Sequence, residues 1–474
     1  MKSLLSAISI LSFMAFPLAA MAVSGQPAAP QTDTPGTLAQ NSSGAPQIVT
    51  RDGAPKWSAG ADIRLRWVTQ NNFPTSDHGE AHGTDYFRFR TRLWGKMTTE
   101  RLDAYLRLTN EFRYYRSPQS GKGKQRFPDV TLIDNLYFTF KDVGDLADIK
   151  IGRQDISFGE RRIIGEGTPC DGSRTTYFDA ARVTFKFDEK RTLDAFALYI
   201  ANEDWLPTLG KKHDAKSKGT KGYHEDISAY NQHEYGAGLY YQDRSNAAFG
   251  WDLYYVFKME EGRQSTVLQE TGSFHTHTFG TRLLPQFTQT LSGETEIALQ
   301  VGDDNLFAAQ IYSGLSYAPQ WAMRPKFTLA ALYLSGDREG GRGTHAWHSV
   351  FNRETGLGDL VGAMYDGNDH CNLFYPHFAL QLTPAAGHGI KLHTGPLFAP
   401  VSEKDPAGGT YGKFRGYYAQ GMYTYAIGEA IAKDTIFERM QFRALGEILT
   451  KGNTFNEGED NLGIYGEVQL TCAF

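Results

Sequence analysis

The chain has 474 residues, with 48 basic against 53 acidic side chains, a formal net charge of −5 and a mean hydropathy of −0.43. Three cysteines exclude a disulfide-dense scaffold. No segment after the N-terminus offers about eighteen uninterrupted apolar residues, which excludes a membrane-spanning helix in the mature chain.

Met1-Lys2-Ser3, the apolar run Leu4 to Leu18 and Ala20-Met21-Ala22 form a secretory signal with an A-x-A site, so residues 1–22 are expected to be removed. Residues 23–55 follow as an Ala/Pro/Gln/Ser/Gly leader, with Gln26-Pro-Ala-Ala-Pro30 and Asn41-Ser-Ser-Gly44, that cannot bury a core. Residues 56–474 read as one domain with no further shift in composition and no solenoid repeat.

Within that domain the pattern has period two. Trp57, Ala59, Ala61, Ile63, Leu65 and Trp67 alternate with Asp62, Arg64 and Arg66. Phe87, Phe89, Leu93 and Met97 then oppose Arg88, Arg90, Arg92 and Lys96, and Ala104, Leu106, Leu108 and Phe112 oppose Asp103, Arg107, Glu111 and Arg113. Later come Phe249/Trp251/Leu253/Tyr255/Phe257 against Asp252/Lys258, and Met440/Phe442/Ala444/Ile448 against Arg439/Gln441/Arg443/Glu447. The last stretch sets Leu462, Ile464, Val468, Leu470, Cys472 and Phe474 against Tyr465, Glu467, Gln469 and Thr471. A helix would need period 3.6, so these segments are strands with one oily and one wet face.

Short connections (98–101, 142–146, 188–191, 242–246, 383–389) alternate with long ones (70–83, 115–129, 154–176, 203–231, 261–272, 337–371, 399–412, 450–461), with one short exception near Gly302 to Asn305. That asymmetry, 13% aromatic residues and the aromatic C-terminus predict an all-β, transmembrane antiparallel β-barrel of about 18 strands (16–18) in the bacterial outer membrane. A lipid environment forbids open sheet edges, so the strands must close into a ring. An even count leaves both ends in the periplasm, with Phe474 offered to the barrel-assembly machinery. A secreted propeller or sandwich is the rival architecture.

The wet parity is rich in arginine. Arg64, Arg66, Arg88, Arg90, Arg92, Arg107 and Arg182 are expected to line the lumen, and Arg439 and Arg443 to join the Arg64/Arg66 wall where the last strand meets the first. Asp62, Asp103, Glu111, Asp252, Glu294, Glu296, Glu447 and Glu467 are the inward acids, fewer than the cations. Two readings stand: a basic constriction that selects anions, or a ladder of ion pairs that stiffens the wall.

Other constellations are weak. His275-Thr-His277 has a spacing that can chelate on a strand but lacks a third ligand, and no cofactor or metal site is expected. His345 to Ser349, in the longest outer loop, offers a His/Ser pair without an oriented acid or oxyanion hole, so no catalytic residue is expected. Gly340-Gly341-Arg342-Gly343 is not at a strand-to-helix turn, and there is no nucleic-acid module. Cys170 and Cys371 fall in two outer loops, and the sequence leaves their pairing open; Cys472 is an inert packing residue.

At Ile151-Gly-Arg153-Gln154, Phe158-Gly-Glu-Arg161 and Phe178-Asp179-Ala-Ala-Arg182-Val183, the chain resembles the alginate-export family of outer-membrane porins. Ala331-Leu-Tyr333-Leu-Ser335-Gly336-Asp337 and the closing Gly446-Glu447…Phe455…Gly458…Phe474 are similar. The resemblance implies a monomeric 18-stranded barrel with an arginine-rich, anion-selective pore for an acidic polysaccharide, and makes Arg153 a pore residue. Parity instead puts Arg153 beside Ile149 and Ile151, so a bulge at Gly152 is required to turn it inward. The expectation is a passive channel for small anions or anionic glycans, with loop 337–371 as lid and Trp347 within it. The alternatives are a general diffusion porin, or a surface adhesin, structural barrel or embedded hydrolase with a closed lumen.

Overall fold

The computed structural model describes residues 55–71, 83–117, 131–166, 177–201, 205–207, 233–261, 273–337, 345–352, 357–364, 371–402, 412–452 and 462–474. The expected signal, the leader to residue 54, Cys170 and the 340–343 glycine run lie outside these residues; Cys371 is buried.

The first strands are β1 (Lys56–Asn71), β2 (Thr84–Thr98), β3 (Leu102–Ser117), β4 (Thr131–Val143), β5 (Ala147–Gln154), β6 (Ile156–Ser157) and β7 (Ile164–Glu166). Next come β8 (Phe178–Lys186), β9 (Arg191–Ile200), β10 (His233–Asp243), β11 (Phe249–Glu261), β12 (Ser273–Pro285), β13 (Leu291–Gly302) and β14 (Leu306–Tyr317). The chain ends with β15 (Lys326–Leu334), β16 (Phe351–Asn352), β17 (Leu373–Leu382), β18 (His388–Phe398), β19 (Phe414–Tyr425), β20 (Gln441–Lys451) and β21 (Leu462–Ala473).

Three of these, β6, β7 and β16, form a small separate sheet; the others make one 18-stranded sheet. Each large strand pairs antiparallel with the next, and β21 closes onto β1 from Asp62↔Ala473 to Asn71↔Ile464. Phe474 and Ala61 exchange two backbone hydrogen bonds at that seam, so the terminal aromatic is part of the closure. The sheet has no open edge, which is what a strand surrounded by lipid requires.

The two faces separate as the alternation predicts. Ile63, Leu65, Leu93, Leu106, Leu253, Ile297, Leu299 and Leu329 stand exposed on the outside, Leu329 at 69%. Asp62, Arg64, Arg66, Arg90, Arg92, Arg107, Glu111, Asp252, Glu296 and Glu467 are buried on the inside. Burying charge while exposing leucine is inverted for a water-soluble protein and correct for a wall between hydrocarbon and a polar lumen. The molecule is therefore a membrane-spanning β-barrel.

Among the described residues the short connections fall as expected, including the brief 3-10 turn Asp303–Asn305. Periplasmic turns are tied locally: Asp188 Oδ1 accepts the N–H groups of Lys190 and Arg191 at 2.8 Å each. One turn is longer than the alternation suggests. Residues 426–440 include a short helix, Ile427–Ile431, and Phe437 there packs against Phe474 with ring centroids 6.1 Å apart. Strand β20 starts only at Gln441, so Arg439 is an exposed turn residue and not part of the wall.

Candidate functional site: the charged lumen and its plug

The closing seam brings together inward side chains from β20, β21, β1, β2 and β3. Arg64, Arg66, Arg88, Arg90, Arg92, Arg113 and Arg443 meet Asp62, Glu111 and Glu467 there. Each carboxylate is shared. Asp62 takes Arg90 Nη2 at 3.2 Å and Arg92 Nε at 2.6 Å. Glu111 takes Arg64 Nη2 at 3.3 Å and Arg88 Nε at 2.6 Å. Glu467 takes Arg66 Nε at 3.4 Å and Arg443 Nε at 2.9 Å, and Gln469 Oε1 accepts both Nε and Nη2 of Arg66. Arg113 lies over the Tyr86 ring, 5.4 Å from its centroid. The register makes this sharing possible, because Arg64↔Arg90, Asp62↔Arg92 and Arg90↔Glu111 are direct neighbours. Within this cluster cations outnumber carboxylates.

Elsewhere the lumen is balanced or acidic. Arg107 meets both Asp134 and Asp155, at 3.0 and 3.2 Å. Arg182 pairs with Asp194 at 2.7 Å. Lys258 sits between Glu234 and Glu260, and Asp252 receives Arg244 and Arg282. Arg282 also reaches Glu294 and Glu160.

Two outer-loop segments enter this interior. The first, residues 155–166, carries β6 and β7. Its Phe158 ring stacks on Tyr240 at 4.3 Å and 8°, and the Arg182 guanidinium lies 5.0 Å from the Phe158 ring centroid. Arg162 Nη1 reaches Glu294 and Glu296 at 2.7 Å each while its guanidinium lies 3.7 Å from the Tyr312 ring centroid. Burial alone would pull this guanidinium down, but the two carboxylates outweigh it and hold its pKa above the ordinary value.

The second segment, residues 345–352, ends in β16, which pairs in parallel with β7 through Phe351↔Ile164. Gln300 clamps its backbone in both directions, donating from Nε2 to His348 O at 2.7 Å and accepting the His348 N–H at 2.9 Å. Lys258 Nζ donates to Ser349 O at 3.3 Å, and the Trp347 N–H to Ser335 O at 3.0 Å. Phe351 fits a socket in the wall made by Gly236, where a Cβ would lie 2.5 Å from the ring. Trp347, Val350 and Phe351 join Ile156, Phe158, Ile164, Phe178 and Tyr240 in one buried apolar cluster. Residues 345–352 of the loop expected to be a lid are thus a plug, seated inside the barrel against β8–β14.

Of the residues expected to line the pore, Arg64, Arg66, Arg88, Arg90, Arg92 and Arg443 are brought together at the seam, with Arg107 beside them on β3. Arg182 is inward but faces the plug. Arg439 is corrected to the turn. Arg153 stays on the outward parity: it pairs in register with Leu136 and Asp179, neither ladder shifts at Gly152, and Ile151 is exposed. Its guanidinium forms a two-point ion pair with Asp179 at 2.9 and 3.1 Å and lies over Tyr177, so the bulge needed to turn it inward is not made. His275 and His277 face outward to separate partners, Asp303 and Tyr255, and no group of three potential metal ligands occurs among the described residues. Arg162 and Gln300 were missed. Gln300 has the inward parity of β13, which was a usable signal, whereas Arg162 is in a loop and had none.

No known family model matches this sequence, and no curated protein matches it. Solved structures do. The outer membrane protein OpdK from Pseudomonas aeruginosa aligns with TM-score 0.53 at 12% identity, over 88% of this chain and 98% of that one. The chain has the fold of an outer-membrane porin. OpdL from the same organism gives TM-score 0.53 at 10% identity over 88% and 98%, and OccD3 (OpdP) gives 0.51 at 9% over 91% and 93%. Identities this low carry the porin fold and nothing finer, and these three structures are not alginate exporters by name.

Proposed function

We propose that this porin-fold protein is a passive outer-membrane channel that favours anions, with the arginine cluster at the closing seam as its selective wall. The observation that carries the reading is the sharing of three carboxylates among six guanidiniums, Arg64, Arg66, Arg88, Arg90, Arg92 and Arg443, with Arg113 beside them over the Tyr86 ring, in one sector of the wall. A positive surplus in a low-dielectric sleeve raises the local concentration of anions and lowers that of cations. Planar guanidinium forks suit carboxylates and phosphates. An anionic solute class is supported by the sequence motifs, which resemble those of exporters of an acidic polysaccharide, and by OpdK, a protein of the same fold that was solved with vanillate, a carboxylate. The experiment is the reversal potential of purified protein in planar bilayers under a salt gradient. Replacing Arg88, Arg90 and Arg92 by Ser should move it toward the cation side, and an unchanged value would make these arginines scaffold only.

One observation favours a second reading, a structural or surface barrel with a closed lumen. The plug contributes to a continuous apolar cluster, and the cluster arginines are themselves withdrawn, Arg64 being 2% exposed. Liposome swelling with neutral and acidic sugars of matched size separates the two. A channel of the proposed kind admits the acidic sugar faster, a general diffusion porin admits both equally, and a closed barrel admits neither.

A further inference from the structure

Rings as well as charges stand on the inward parity of β2–β5. Trp94, Tyr105 and Tyr137 lie two residues from Arg92, Arg107 and Asn135, on the side of the short turns 98–101 and 142–146. Tyr105 and Tyr137 are register partners, and Trp94 is diagonal to Tyr105. The indole leans over its own partner Gly60 on β1, where a Cβ would lie 2.5 Å from the ring. Trp94 and Tyr105 stack with centroids 6.2 Å apart at 21°, and Tyr105 and Tyr137 at 5.1 Å and 22°. The three rings make one half-buried strip that continues the arginine wall toward the short turns. At its far end Lys150 Nζ sits 3.7 Å from the Tyr137 ring centroid. The lysines next to it are paired, Lys96 and Lys141 both reaching Asp103, at 3.0 and 3.1 Å. Among the described residues Lys150 has no carboxylate at ion-pair distance, because nearby Asp155 is held by Arg107 at 3.2 Å. Among the same residues the Trp94 indole N–H and the Tyr105 and Tyr137 hydroxyls have no hydrogen-bonding partner.

We infer that Trp94, Tyr105, Tyr137 and Lys150 form a subsite for a ring that carries a carboxylate, with the ring laid on the aromatic strip and the carboxylate at the Lys150 ammonium. The inference rests on the channel reading above and narrows its solute from anions in general to anionic rings. Aromatic rings attract the apolar face of another ring, and the strip is long enough to take one at more than one position. The Tyr137 ring attracts the ammonium without using its N–H donors, so these stay available to a carboxylate. The indole N–H and the two hydroxyls offer hydrogen bonds to substituents of the ring. A wall built for stiffness alone would pair Lys150 as Lys96 and Lys141 are paired.

The test compares glucuronate, a ring, with gluconate, an open chain of the same charge, as blockers of chloride current through the full chain in planar bilayers. Wild type should be half-blocked by glucuronate at a concentration about fivefold lower, the factor that a contact of about 1 kcal/mol supplies. Tyr105→Leu should raise the glucuronate value to that of gluconate, and Lys150→Met should raise both values together. Trp94→Leu serves if Tyr105→Leu does not fold, as checked by heat-modifiable electrophoretic mobility. Benzoate in a parallel titration tells an aromatic ring from a sugar ring, and an advantage over gluconate for either one that Tyr105→Leu removes supports the strip. Equal block by ring and open-chain acids in wild type, or a ring advantage that survives in Tyr105→Leu, would overturn the subsite even where the reversal potential shows anion preference. If wild type conducts without anion preference, the seam reading fails by itself, and block by glucose against sorbitol tests the strip without charge. A wild-type barrel that passes no current overturns both.

Discussion

Asp62 is the residue whose removal separates selectivity from scaffolding most cleanly. It is 7% exposed and holds Arg90 and Arg92 at 3.2 and 2.6 Å. Asp62→Ala subtracts one negative charge from the basic cluster and leaves both guanidiniums without their shared carboxylate. At about 5 Å in water the added positive charge is worth about 0.8 kcal/mol, and about 0.5 kcal/mol after screening at 0.1 M salt. Local anion concentration should then rise about twofold and cation concentration fall by a similar factor. The same substitution breaks a buried ion network, which costs about 3–5 kcal/mol when one partner is deleted. Selectivity and stability should therefore move in opposite directions: reversal potentials shift toward the anion side, while the temperature at which heat-modifiable mobility is lost falls. Acetate in the buffer, a carboxylate that can enter the vacated position, should recover part of the stability and reduce the shift. A variant that is less stable with an unaltered or reduced anion preference would refute the claim that this sector sets selectivity.

Four further substitutions probe the plug and the corrected arginines. Gly236→Leu fills the socket of Phe351 and should cost about 1–3 kcal/mol by overpacking or expel the plug, read as raised conductance with the barrel still folded. Gln300→Ala removes the two-way clamp on His348 and should destabilise residues 345–352 locally by about 1–3 kcal/mol, visible as faster amide exchange there. Arg439→Ser, in the exposed 426–440 turn, and Arg153→Ser, on the outward parity, should leave the reversal potential within error of wild type; a shift comparable to that of the Arg88/Arg90/Arg92 variant would return them to the pore.

The barrel was legible because two solvents write on every strand. Lipid outside and a polar lumen inside force period two, so Ile63 against Arg64 or Leu93 against Arg92 reveals both the strand and its direction of facing. Loop asymmetry followed from the same cause. Arg439 was misplaced because Met440 continues the alternation of Phe442 and Ala444 into a segment that folds as a turn, and alternation cannot report where pairing stops. For Arg153 the parity was right and the family resemblance misled. The plug was hidden for a different reason. Arg162 and Phe351 act through contacts with residues far away in the chain, such as Arg162 with Glu294 and Glu296 and Phe351 with Gly236, and isolated long-range contacts have no period.

The placement of the plug follows from where the charges balance. Covering an ion-paired wall displaces water from groups that already have partners, and the plug adds partners of its own: Arg162 to Glu294 and Glu296, and Lys258 to Ser349 O. Covering a wall with surplus guanidinium would strip water from charge with no carboxylate to replace it, at several kcal/mol per ion. The apolar residues Phe158, Trp347 and Phe351 accordingly seat on β8–β14, while the short helix Asp359–Met364, with Leu360 and Val361 in the same buried cluster, stands at Glu447 beside the basic sector. An inserted loop and a basic wall are in this way two consequences of one uneven distribution of charge: the balanced side is packed by the plug, and the seam holds its buried guanidiniums on carboxylates that each serve two of them.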